Sequence, residues 1–362
     1  MEKSMAFRGI QLWGPILLNS YETNDDNIRV LQSLNPPDGH TRYVDQISSN
    51  LSDDIQLEFF SWRGALLGKF DVFHIHWPEM LFRDSSRAKA ALKRVCFSVL
   101  LRRLRLKGIP IVRTAHNIQP HEQMSAHERR LLQKLDAQTS LYIRLNPTTV
   151  LPVEANAVTI LHGHYIDRFA EFSKESVAAG RILYFGLIRP YKGVDELIAA
   201  YGGADLPLST LRIVGQPSSS ALTGLIETSS VADPRISSRL EFVDDATLVR
   251  EVSSAELVVL PYKQMHNSGA VLVALSLAKP VLVPRSPSND ALADEVGEDW
   301  VFRYDGDLTS AQLETALRVV QSTTRAAQPN LQGRDWGVVG ERHSALYHQL
   351  LRERAGRRQT PR

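Results

Sequence analysis

Two cations three residues apart, Arg189 and Lys192, stand in Phe185-Gly186-Leu187-Ile188-Arg189-Pro190-Tyr191-Lys192-Gly193, between an apolar run and a helical pattern. Arginine grips two phosphate oxygens at once and lysine adds a compact charge, so the pair suits a diphosphate. Two surface cations in a loop would give the same residues. Further along, Pro261-Tyr262-Lys263-Gln264-Met265-His266-Asn267-Ser268-Gly269-Ala270 leads into the apolar stretch 271–277. Asn267 or Ser268 can cap a helix there, and Gly269 lets backbone N–H groups approach a phosphate at the helix terminus. A capped, buried helix has the same signature. With Arg189 and Lys192 in the same half of the chain, the phosphate reading gains weight.

Histidines mark the first half. His74-Ile75-His76-Trp77-Pro78-Glu79 closes a strand pattern, on which His74 and His76 face one side. No third ligand lies nearby in sequence, so no metal site is expected. Instead His76, Trp77 or Glu79 is expected to line a cleft, with Trp77 on a sugar or in the core. Thr114-Ala115-His116-Asn117 follows a second strand, with His121-Glu122 five residues later. His162-Gly163-His164-Tyr165 borders a cleft or forms a simple turn.

These residues need a scaffold. Ile10-Gln11-Leu12-Trp13 is strand-like and ends at Gly14-Pro15, and Asn24-Asp25-Asp26 caps a helix expected to carry Ile28, Val30, Leu31 and Leu34. Strands are expected over 70–77 and 109–114, separated by a basic helix over 87–107. In the second half, strands are read at 181–185, 211–214, 240–243, 255–260 and 280–283, with a helix over 195–201. Strand, helix, strand in parallel order describes two doubly wound α/β lobes. The expected division is 1–172, a polar linker over 173–180, 181–335, and a C-terminal helix with a basic tail over 336–362 that crosses back to the first lobe. Ligands of such sheets bind beyond the carboxyl ends of the strands, where every motif above falls.

Bulk properties narrow the classes. The chain has 362 residues, 42 Lys+Arg against 40 Asp+Glu, and a net charge of +2, which argues against a global polyanion binder and so against nucleic acid. One cysteine, Cys96, rules out an internal disulfide or a cysteine zinc cluster. No apolar run approaches the roughly 20 residues of a membrane span. Residues 1–5 carry an acid early and do not read as a secretory signal. The near-neutral total hides two basic segments: 87–107 holds eight cations and no acid, and 352–362 holds five arginines and one glutamate.

"YFGLIRPYKGVDELIAAY", "LRIVGQP", "LEFVDDATLVREVSSAELVVLPY" and "NSGAVLVALSLAKPVLVP" follow one another in the order seen in GT-B glycosyltransferases. The chain resembles most the bacterial group 1 branch, which includes many exopolysaccharide and lipid-linked-glycan enzymes. The likeness is good over 181–285 and loose in the first half. It implies a GT-B fold, with two Rossmann-like lobes facing across a cleft. It also implies that Arg189 and Lys192, with Asn267, Ser268 and Gly269, hold the diphosphate of a nucleotide sugar, GDP- or UDP-linked, with no further cofactor. Phe242 and Val243 would lie near the base. Gly14, His76, Asn117, His162, Tyr262 and His266 would line the nucleotide or sugar, and His116 would point at the donor sugar. Group 1 enzymes carry two glutamates with seven residues between them; Met265 and Val273 occupy those positions here. Retention of configuration, the usual outcome in that branch, therefore does not simply carry over, and the outcome stays open.

If configuration inverts, a base must reach the acceptor hydroxyl, and His116, Glu79 and Glu122 are the candidates. Asp305-Gly306-Asp307 matches a metal motif of another glycosyltransferase fold, but its setting predicts a turn before a helix starting at Leu308. The expected activity is transfer of a sugar from a nucleotide-diphosphate sugar to a saccharide, a lipid-linked or exopolysaccharide intermediate, without metal. A sugar-nucleotide epimerase or hydrolase is the alternative. The basic helix can lie on an anionic membrane or cover the sheet, which places the chain in the cytoplasm or at the inner face of the cell membrane.

Overall fold

The computed structural model describes residues 27–37, 42–116, 124–151, 156–263, 265 and 267–359. The expected strand at 10–13, and Gly14, Asn117, His121, Glu122 and His266, lie outside them.

The first lobe is a six-stranded parallel sheet in the order β2-β1-β3-β4-β5-β6. Its strands are β1 (Ile28–Gln32), β2 (Ile55–Phe59), β3 (Val72–Ile75), β4 (Ile111–Ala115), β5 (Thr139–Arg144) and β6 (Ala157–Thr159). Helices α1 (Arg42–Ser48), α2 (Trp62–Leu67), α3 (Pro78–Phe82), α4 (Arg87–Lys107) and α5 (Ala126–Asp136) connect them. Then α6 (Ile166–Phe169) leads to the second sheet, ordered β12-β11-β10-β7-β8-β9 and also parallel. Its strands are β7 (Arg181–Phe185), β8 (Thr210–Val214), β9 (Ile236–Arg239), β10 (Leu257–Val259), β11 (Val281–Pro284) and β12 (Val301–Tyr304). The helices are α7 (Val194–Gly202), α8 (Ser220–Ala232), α9 (Asp245–Ser253), α10 (Gly269–Ser276), α11 (Pro287–Val296), α12 (Ser310–Ser322) and α13 (Trp336–Gln359).

Two readings of the sequence are corrected. Residues 28–34 are not helical: Ile28–Gln32 forms β1, between β2 and β3. Four of its five residues are buried and only Arg29 keeps a trace of alternation, so its apolar residues mimic a capped helix. Likewise 240–243 is not a strand. β9 ends at Arg239, and the four residues form the loop after it.

Each sheet has one point where strand order reverses, between β1 and β3 and between β7 and β10. Crevices for ligands open at such points, beyond the carboxyl ends. Gln32 and His76 stand at the first, and the loops carrying Lys192 and Tyr262 at the second.

Among the described residues, three apolar clusters hold the molecule together. The second lobe has one core, which Tyr165 and Phe169 already join. The first lobe has one on each side of its sheet. On one side α4 contributes Phe97, Leu100, Leu101 and Leu104. On the other lies α13, the last helix of the chain, through Trp336, Val339, Leu346, Tyr347 and Leu350. Glycine lets it approach: a Cβ at Gly340 would fall 1.6 Å from the Asn50 carbonyl oxygen. Arg168 ties the lobes, with Nη1 2.9 Å from Asp45 of α1 and Nε 2.7 Å from Asp245 of α9.

Candidate active site

The second lobe's side of the site starts at the end of β7. Gly186 takes φ 111° and Gly215, at the end of β8, takes φ 145°; a Cβ on Gly215 would stand 1.9 Å from the Gly186 carbonyl oxygen. Glycine therefore permits the two strand ends to approach. A short 3-10 turn, Pro190–Lys192, follows. Gly193, at φ 66°, presses against the Pro261 carbonyl, where a Cβ would sit only 2.2 Å away. This contact fixes Lys192 beside Tyr262: Nζ lies 3.3 Å from the tyrosine oxygen and 4.6 Å from the ring centroid.

Burial, with Arg189 adding like-charge repulsion, pulls the Lys192 ammonium down to about 8. Neither cation has a carboxylate partner among the described residues, whereas Lys263 nearby is neutralised by Glu196 at 2.7 Å. An unpaired, half-buried ammonium gains from an incoming anion what it lost in water. The loop after β10 continues to Ser268, whose hydroxyl caps α10 by accepting from Val271 N–H. The side of Gly269 is open, since an added Cβ would meet only the Tyr165 hydroxyl, at 3.4 Å.

Asn267 is held differently from the expectation. Its amide nitrogen donates to the His116 carbonyl at 2.8 Å and the Ala115 carbonyl at 3.4 Å, and its oxygen accepts from Asn146 at 2.6 Å. A residue of the second lobe is thus strapped to the ends of β4 and β5, and a phosphate at that amide would have to displace these bonds. Met265 and Val273 are both buried in the second core. Phe242 is 52% exposed, beyond the carboxyl end of the edge strand β9. Val243 packs against the core.

The facing side belongs to the first lobe. His76, just after β3, and His116, just after β4, meet with Nδ1 of the first 3.0 Å from Nε2 of the second. Trp77, the residue before α3, stacks on His116 at 4.1 Å between ring centroids. Behind them His74 contacts the Tyr347 hydroxyl at 2.7 Å and Thr114 Oγ1 at 2.8 Å. Burial, followed by repulsion among the rings, pushes His74, His76 and His116 well below the ordinary imidazole range, so all three are neutral at pH 7. His162 falls to about 4, chiefly through burial.

A cavity of about 270 Å³ opens here, lined by His76, Trp77, Glu79, Arg113, His116 and Arg129 among others. His162 lines a smaller one of about 40 Å³ between the lobes, with Asn146, Asn267, Ser268 and Arg334. Its neighbour Gly163 is required, because a Cβ there would stand 2.4 Å from the Trp336 ring. Asp305 pairs with Arg285, and Gly306 takes φ 71° in the turn before α12. That helix begins at Ser310, capped by Thr309, two residues later than expected. Among the described residues no group of three His, Cys, Asp or Glu converges as a metal site would, and no helix is long and apolar enough to cross a membrane.

The structure therefore brings His76, His116, Trp77 and Glu79 together on one side, and Arg189, Lys192 and Tyr262 on the other. Sequence reasoning missed Gln32, Asn146, Tyr347 and Tyr43, whose ring packs edge-on against His76 and His116. Gln32 did leave a trace: it is the polar residue that closes an apolar run.

Two parallel six-stranded sheets, each with a switch point, give the GT-B fold of glycosyltransferases. Solved structures share the fold. Anabaena Alr3699/HepE in complex with UDP superposes with a TM-score of 0.58 at 15% identity, covering 91% of this chain and 99% of that one. WaaG, a glycosyltransferase involved in lipopolysaccharide biosynthesis, gives 0.54 at 15% identity, covering 88% and 95%. The chain matches no protein-family model. It is, however, 47% identical over 326 residues to GDP-mannose:glycolipid 4-beta-D-mannosyltransferase of Xanthomonas campestris pv. campestris, covering 90% of this chain and 93% of the relative. The chain belongs to that glycosyltransferase family. It is an enzyme that transfers a sugar from a nucleotide-diphosphate sugar to a saccharide acceptor, and the epimerase or hydrolase alternative is not favoured.

Proposed function

We propose that the chain transfers mannose from GDP-mannose to a lipid-linked saccharide with inversion, giving a β-mannoside. The observation that carries this reading is the unpaired Lys192 beside Arg189 and Tyr262 at the second switch point. As the glycosidic bond breaks, the departing diphosphate gains negative charge. Lys192, Arg189 and the capped terminus of α10 are suited to stabilise it without a metal ion. Mannose and guanine, rather than another sugar nucleotide, are supported by the name of the relative at 47% identity.

Inversion follows from chemistry. GDP-mannose carries mannose as the α-anomer, so a β product requires attack from the opposite face. Met265 and Val273 place no carboxylate where group 1 enzymes hold one, and both are buried. His116 serves as the base that takes the acceptor proton, with Trp77 and the 270 Å³ cavity receiving the acceptor saccharide. Calorimetry with GDP and UDP tests the donor assignment: GDP should bind more tightly, and equal or weaker binding than UDP would remove it.

A lipid-linked acceptor calls for membrane contact, and α4 has the surface for it. Its inner side is buried, yet Leu92, Val95, Val99 and Leu106 face outward, 51% to 76% exposed. With exposed Arg102 between Val99 and Leu106, their 3-4-3-4 spacing traces one stripe along the helix. Arg87, Lys89, Arg105 and Lys107 are exposed as well. Apolar contacts between cations suit an anionic bilayer surface. Replacing Leu92, Val95 and Val99 together with Gln should reduce cosedimentation with vesicles containing anionic lipid at least tenfold; unchanged cosedimentation would place the contact elsewhere.

A further inference from the structure

We propose that Gln32, acting through His76, holds His116 in the one neutral tautomer that presents a bare Nδ1 to the acceptor hydroxyl. The inference rests on the reading of His116 as the base. Gln32 ends β1, and its side-chain oxygen lies 2.7 Å from His76 Nε2. An amide oxygen has no hydrogen, so His76 Nε2 carries the proton and donates. Neutral imidazole has one N–H, which leaves His76 Nδ1 as an acceptor. The atom facing it at 3.0 Å, His116 Nε2, must then donate. A neutral His116 protonated on Nε2 has its lone pair on Nδ1.

The same direction of donation continues on the other side of the amide. On the other side of Gln32, its nitrogen is 3.4 Å from the Tyr347 oxygen. Tyr347 donates to His74 Nδ1 at 2.7 Å, and His74 Nε2 donates to Thr114 Oγ1 at 2.8 Å. The bonds from Gln32 to Thr114, and from Gln32 to His116, thus run head to tail from one amide. His116 Nδ1 has no hydrogen-bond partner among the described residues. The ring that carries it lines the 270 Å³ cavity.

The step balances as a single displacement. The acceptor oxygen attacks the anomeric carbon while its proton passes to His116 Nδ1. The bond from that carbon to the phosphate oxygen breaks, and its electron pair leaves on the nucleoside diphosphate. His116 Nε2–H keeps its bond to His76 as the ring becomes charged. Gln32 touches no substrate, and is therefore a positioning residue.

Nitrogen-15 spectra of histidine-labelled protein read the tautomers directly, with His76→Gln and His116→Gln variants used to assign the two rings. Both rings should show Nε2–H and a bare Nδ1. Gln32→Met should release that preference in both rings and lower kcat about 10- to 100-fold at an unchanged donor Kd. Gln32→Glu, which still accepts from His76, should restore the tautomer and bring kcat to within about tenfold of the parent. A His116 found as Nδ1–H, or an unchanged kcat in Gln32→Met, would overturn the proposal. So would a Gln32→Glu variant as inactive as Gln32→Met. The spectra need no substrate: a different donor sugar would leave the tautomer result standing, while Nδ1–H would refute it with the transfer reaction intact.

Discussion

Lys192→Met is expected to make the ligand-free protein more stable while weakening donor binding about 30- to 1,000-fold. The two effects share one cause. In the folded protein, burial and the Arg189 charge lower the Lys192 ammonium to about 8, from 10.5. Between those values the unfolded chain binds a proton that the folded one does not, so stability rises as pH climbs from 8 to 10.5. Below 8 both states are protonated, and the folded state carries the full cost of burial and of the Arg189 charge, on the order of 3 kcal/mol. Methionine removes that cost and keeps an apolar stem against Tyr262. Losing a buried charge that faces a diphosphate costs about 2–4 kcal/mol in binding, hence the fold-change. Donor affinity of the parent should also fall as pH rises through about 8, and that of Lys192→Met should stay flat. Thermal unfolding and calorimetry from pH 6.5 to pH 9.5 read both effects. A variant that is less stable yet binds donor normally would make Lys192 a structural residue.

His116→Ala is expected to lower kcat by about 10²- to 10⁴-fold and to change donor Kd by less than about threefold. His116 is neutral, reaches the cavity and stacks on Trp77, the residue best placed to meet a sugar. Its low basicity means the proton moves late, once the acceptor oxygen has begun to bond to carbon. Glu79 lines the same cavity from the first turn of α3 and provides the comparison. Glu79→Gln should keep kcat within about tenfold. A larger loss in Glu79→Gln than in His116→Ala, measured as product formed at saturating donor, would transfer the base to the carboxylate.

Local chemistry was legible in the sequence wherever neighbours in the chain are neighbours in space. The bounds of α4 could be read from its cations and leucines, down to the Gly108 cap at φ 59°. Arg189 and Lys192 were legible because a strand, a glycine and a helix bracket them within 15 residues. Long-range facts were not. Gln32 finds its partners 42, 44 and 315 positions away, and nothing local to an apolar run reveals them. β1 was mistaken for a helix because a strand with four of five residues buried keeps too little alternation, here Arg29 alone, to identify it. Asn267 read as a phosphate ligand from its place before α10, yet tertiary contact turns its amide to the first lobe. The outward stripe on α4 was hidden as well, since sequence shows that a helix is apolar but not which side the sheet takes.

The central claim is sugar transfer from GDP-mannose with inversion at the anomeric carbon. Purified enzyme with GDP-mannose and a membrane lipid extract containing saccharide acceptors, followed by NMR of the isolated product, tests it most directly. The predicted result is release of GDP only when acceptor is present, with a new β-linked mannose whose formation Lys192→Met and His116→Ala both suppress. An α-linked product, or release of free mannose without acceptor, would contradict the account.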